Sequence, residues 1–65
     1  MIVLYSTGCP KCKILKKKLD AKGINYMENN NVDEMLTKGI TQVPALAVNE
    51  DIFDFSKANE WVNAQ

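Results

Sequence analysis

The chain contains two cysteines, Cys9 and Cys12, only three positions apart. That spacing constrains the fold first, because such a pair cannot tie distant segments together. Closing so short a loop restricts the unfolded chain by at most about 2 kcal/mol. A chain of sixty-five residues, which buries only about 60% of its unfolded surface, must therefore be held by an efficient apolar core. The pair is better explained by reactivity than by stapling. Its surroundings agree. Ile2-Val3-Leu4-Tyr5 precedes it as a continuous apolar run, and a lysine-rich helical pattern follows. With Cys9 at the N-cap and Pro10 at the first helical position, free backbone N–H groups and the positive dipole end face the Cys9 sulfur. Such a site favours thiolate, the species that attacks disulfides. Cys12, one turn on, is within reach of that sulfur.

The apolar run Ile2–Tyr5 predicts a central strand covered on both faces. Ser6-Thr7-Gly8 breaks it. From Pro10 to about Lys22 the pattern is helical, with Cys12, Leu15 and Leu19, flanked by Ile14, on one face and lysines on the other. Gly23 ends this helix. Ile24 to Met27 is expected as a second strand, completing a βαβ unit with a right-handed crossover. Asn31 and Glu34 resemble a capping box that opens a short helix through Lys38, closed by Gly39.

Val43–Val48 is expected as a third strand, with Pro44 near its start, where a missing N–H is tolerable. Asn49-Glu50-Asp51 reads as a turn into a fourth strand at Ile52-Phe53, giving an antiparallel hairpin. Ser56 is the expected N-cap of a last helix with Ala58, Trp61 and Val62 on one side. The expectation is an α/β protein of order βαβαββα. One four-stranded mixed sheet carries helices on both faces, within a single domain spanning 1–65.

Hydrophobic residues make up 46% and charged residues 25%, the balance of a soluble globular protein. Net charge is zero, which gives no long-range attraction to nucleic acid or a membrane. The charge is unevenly spread, however. Residues 1–22 hold six lysines against Asp20, a net +5, and the remainder carries −5. This lysine face reads first as a solvated helix surface, and secondarily as a positive field that draws acidic partners. No run is long enough to span a membrane. Met1 leads into an apolar stretch without a basic leader, which predicts no signal peptide and a cytoplasmic protein.

Cys9-Pro10-Lys11-Cys12 after the first strand, with Thr41-Gln42-Val43-Pro44 opening the third, resembles the glutaredoxin family of the thioredoxin fold. The resemblance runs from Ile2 to about Val48. It implies a minimal thioredoxin (glutaredoxin-like) fold with a cis Val43–Pro44 bond beside the dithiol. It also implies dithiol–disulfide exchange, in which Cys9 attacks and Cys12 resolves. Pro10, Lys11, Val43 and Pro44 would then bind substrate, with Val43 offering its backbone N–H and C=O to an extended chain. Expected partners are disulfide-containing proteins and either glutathione, as co-substrate, or a thioredoxin-reductase-type flavoprotein; the protein is expected to be a monomer with no bound cofactor.

Two departures bear on glutathione. Tyr5-Ser6-Thr7-Gly8 lacks the basic residue that glutathione-using members usually carry before the first cysteine. Asp54-Phe55-Ser56-Lys57 stands where such members carry a Gly-Gly step followed by a cap that holds the γ-glutamyl carboxylate of glutathione, and Asp54 would repel a carboxylate. The chain has no histidine, so activation falls to the helix start and to Lys11 or Lys13. Asp20 and Glu28 read as surface acids rather than a buried proton relay.

A second reading is a metal or iron–sulfur protein. One Cys-x-x-Cys supplies only two ligands, so a site would need a dimer sharing four thiolates or outside thiols. A redox-inert module that uses the lysine helix to bind acidic partners is the third.

Overall fold

The computed structural model describes residues 1–65. Its elements run β1 (Ile2–Tyr5), α1 (Pro10–Ala21), β2 (Met27–Asn29), α2 (Val32–Thr37), β3 (Ala45–Val48), β4 (Asp51–Phe53) and α3 (Phe55–Asn63). The strands form one sheet in the order β2-β1-β3-β4. β1 pairs parallel with β2 and antiparallel with β3, and β3 pairs antiparallel with β4. The result is a small α/β structure with a mixed sheet and three helices.

Side chains alternate across the sheet, and two apolar clusters follow from that. Leu4 and Leu46 point to one face, where Leu15 and Leu19 of α1 and Ala58 and Val62 of α3 close over them. Tyr5, Ala45 and Ala47 point to the other, against Met35 of α2 and Ile40. Helices therefore cover both faces, as the pattern predicts. The two faces are unequally protected. α2 has only six residues, and Met27 at one sheet edge stays 61% exposed.

Several boundaries differ from expectation, each for a local reason. The second strand begins at Met27 instead of Ile24. α1 ends in a Schellman motif, with Gly23 N–H on Asp20 O and Ile24 N–H on Leu19 O, both at 3.1 Å. Gly23 takes φ +67° there, a region open to glycine. Ile24 is thus committed to the helix cap and to the α1–α3 core, and the chain becomes extended only after Tyr26. The Tyr26 hydroxyl donates to Asp20 at 2.8 Å, and burial with that bond pushes its pKa up to about 12.

The third strand starts at Ala45, directly after the proline, and not at Val43. The hairpin loop is two residues, Asn49-Glu50, because Asp51 already pairs with Val48. Asn49 sits at φ +58°, where asparagine is among the few residues tolerated. The last helix is capped by Asp54 and not by Ser56: Asp54 Oδ1 accepts from Lys57 N–H at 2.8 Å. The earlier start makes Phe55 helical and puts it on the same face as Ala58 and Val62. At α2, Asn31 Oδ1 accepts from Glu34 N–H as expected, but the return bond to Asn31 N–H comes from Asn29 and not from Glu34. Ile14 does not join the apolar face of α1. It lies one position from Leu15, about 100° around the helix, and is 47% exposed.

Candidate active site around the cysteine pair

The site begins where β1 runs out. Gly8, at φ +82°, turns the chain sharply from strand into helix. A Cβ there would meet no neighbour within 4 Å, so the backbone angle, not space, calls for glycine. Cys9 is extended (φ −66°, ψ 163°) and is the N-cap of α1, with Pro10 opening the helix. The Cys9 sulfur accepts the Cys12 N–H at 3.1 Å, and the Cys9 carbonyl accepts the Lys13 N–H at 3.0 Å. Cysteine sulfur thus takes the place that a serine or aspartate oxygen fills at an ordinary N-cap.

Cys9 and Cys12 form a disulfide with Cα atoms 5.0 Å apart. The two sulfurs differ in access. Cys12 is only 2% exposed, while Cys9 is half-buried and is the one an incoming group meets.

The β1–β3 register brings the other sequence-predicted residues to the same end of the sheet. Tyr5 pairs with Ala45, so Pro44 lies opposite Ser6, at the start of the loop that carries Cys9. The Val43–Pro44 bond is cis. Neither the N–H nor the C=O of Val43 is hydrogen-bonded within the chain. Lys11 Nζ lies 5.5 Å from the centroid of the Phe55 ring, a contact that joins the start of α1 to the start of α3. Lys57 makes a similar contact with Phe53 at 5.0 Å.

Sequence reasoning missed a polar group beside Cys12. The Ser6 hydroxyl donates to Glu28 Oε2 at 3.0 Å, and Lys16 Nζ donates to Glu28 Oε1 at 3.0 Å. Ser6 is buried, and its hydroxyl is satisfied by this bond. The Lys16 bond, then the Ser6 bond, hold the Glu28 carboxyl below its ordinary value, and Glu28 in turn raises Lys16. With Gly8, Cys12 and Lys13 these three line a cavity of about 160 Å³. The relevant signal was dispersed over three segments. Glu28 pairs with Leu4 across β1–β2, and only that register carries it to the α1 side of the sheet.

The pair has no third ligand nearby to complete a metal site: nowhere do three His, Cys, Asp or Glu side chains converge. No helix is long and apolar enough to cross a membrane. The arrangement offers one accessible sulfur at a helix start and a second, sheltered sulfur within bonding distance of it. An unpaired backbone N–H and C=O lie at the same end of the sheet. No protein-family model, curated protein or solved structure matches this chain.

Proposed function

We propose that the protein is a dithiol–disulfide oxidoreductase of glutaredoxin-like type, built on a minimal thioredoxin fold. One observation carries the reading: Cys9 is the N-cap of α1 and is bonded to Cys12, the residue whose N–H its sulfur accepts. The β2-β1-β3-β4 order, with the cysteines after β1 and Pro44 directly before β3, supports the fold assignment.

In the reduced protein, the helix N-terminus stabilises the Cys9 thiolate. That thiolate attacks one sulfur of a substrate disulfide. A Cys9–substrate bond forms, and the other substrate sulfur leaves as a thiolate that takes up a proton. Cys12 then loses its proton and attacks Cys9. The Cys9–Cys12 bond forms, and the second substrate thiol departs. Two electrons pass from the dithiol to the substrate; Cys12 supplies one proton, and solvent, which took the Cys9 proton when the thiolate formed, supplies the other. Val43 N–H and C=O would hold the substrate as an added extended segment.

Recharging the dithiol needs an external donor. Asp54 already supplies a carboxylate to the start of α3, on the N–H of Lys57. That favours a thioredoxin-reductase-type flavoprotein, with NADPH behind it, over glutathione, whose own carboxylate would meet Asp54. A dithiol of this kind suits a reducing compartment such as the cytoplasm.

The test is coupled turnover on a protein disulfide with each donor system in turn. Cys9→Ser is expected to abolish turnover, and Cys12→Ser to accumulate a mixed disulfide visible by mass spectrometry. Full turnover by Cys9→Ser overturns the order of attack. Absence of reduction with either donor, and in a single turnover of the pre-reduced protein, overturns the function.

A further inference from the structure

α1 carries six of the eight lysines, if Lys11 through Lys22 are counted, and most are engaged. Lys11 lies over Phe55, Lys16 pairs with Glu28, Lys18 bonds to Asn59, and Lys22 donates to the Gln65 carbonyl. Lys13 and Lys17 have no partner. They stand four residues apart, one turn of helix, on the outward face. Beside them the apolar Ile14 is 47% exposed. Together with Lys16 and Asp20, these residues line an open groove of about 450 Å³.

The groove is continuous with the redox site. Lys13 and Lys16 are shared between it and the smaller cavity that Cys12 and Glu28 line. One apolar side chain, Ile14, stands to one side of the unpaired Lys13 and Lys17; the paired Lys16 and the acidic Asp20 complete the lining, which keeps a net positive charge. Its complement is an acidic surface.

We infer that this face of α1 docks acidic protein segments, and that the preferred substrates are protein disulfides flanked by aspartate or glutamate with a nearby apolar residue. The inference rests on the redox reading only for the word substrate; the surface itself is independent of it. An acidic segment bound along Lys13 and Lys17 has its apolar side chain on Ile14 and its disulfide delivered toward the Cys9–Cys12 end of the helix.

The experiment uses two synthetic disulfide peptides that share one leucine and differ only in having glutamates or lysines beside the disulfide. Single-turnover rates with the reduced protein are divided by the rates with dithiothreitol, because neighbouring charge also alters the intrinsic reactivity of a disulfide. The acidic peptide is expected to react at least about 10-fold faster at low ionic strength, with the gap closing in 0.5 M salt. Lys13→Glu combined with Lys17→Glu should reverse the preference; both side chains are exposed and unpartnered, so the fold has no contact to lose. Equal normalised rates for the two peptides overturn the docking surface and leave the redox reading standing. Binding of a cysteine-free acidic peptide, read by fluorescence anisotropy, separates the two in the other direction. Salt-sensitive binding that the double reversal removes supports the surface even where neither disulfide peptide is reduced. Binding unaffected by the reversal overturns it.

Discussion

A cysteine used as a helix cap differs chemically from the usual serine or aspartate, because its charge state can change near neutral pH. The free N–H groups at the start of α1 favour the anion, so the reduced Cys9 thiol is expected to titrate below the ordinary value of about 8.5. Alkylation rate against pH measures this directly, with Cys9 reacting first and the sheltered Cys12 lagging. A Cys9 midpoint at or above 8.5 removes the basis of its reactivity. Glu28 gives a second residue-scale prediction. Its carboxyl is held low by Lys16 and then by Ser6. The stability it contributes is therefore complete above the unfolded value of about 4.5 and is lost as pH falls through that value toward its folded one. Lys16, raised by the same contact, would lose its share only above 10.5, so between these limits the pair counts as one interaction. Urea midpoints should drop more for the wild type than for Glu28→Gln between pH 6 and pH 3.5; parallel curves would show that the contact contributes nothing in solution.

Elements were legible in the sequence where one segment held the whole signal. Ile2–Tyr5, the Cys9 cap and the 12/15/19 apolar stripe each lie within a short window, and each stands where the pattern put it. Boundaries that depended on a partner were not legible. Ile24 has the composition of a strand residue, but the Schellman bonds of Gly23 and Ile24 claim it for the end of α1. Asp54 and Ser56 are both good N-caps, and what decides between them is the burial of Phe55 against the α1–α3 core, a tertiary fact. The Ser6–Glu28–Lys16 contact joins three elements and could be read only once the β1–β2 register was known. The cap assignment has a measurable consequence. Asp54→Ala should cost about 1 kcal/mol by denaturant unfolding, while Ser56→Ala, at an exposed position within the helix, should stay within about 0.5 kcal/mol. The reverse order would return the cap to Ser56.

At the scale of the whole molecule, Cys9 stands outside the core, while Cys12 is buried at its margin. Cys9 belongs to neither apolar cluster, and the buried side chains that close the sheet faces come from β1, β3 and the three helices, with Ile40. The cross-link spans only four residues, so its loss frees little chain entropy. Reduction to the dithiol is therefore expected to lower stability by no more than about 2 kcal/mol, a fall in Tm of no more than roughly 15 °C for a domain of this size. By contrast, Leu15→Ala or Leu46→Ala, each removing a fully buried side chain, should cost about 2–5 kcal/mol, enough to unfold much of a chain with so thin a core. Thermal melts of the oxidised and reduced wild type, run beside both variants, decide the matter. Cooperative unfolding in the reduced protein at a temperature near that of the oxidised form fits a catalyst whose fold must persist through both halves of its cycle. Collapse on reduction would make Cys9–Cys12 a structural staple, and electron transfer would lose its support.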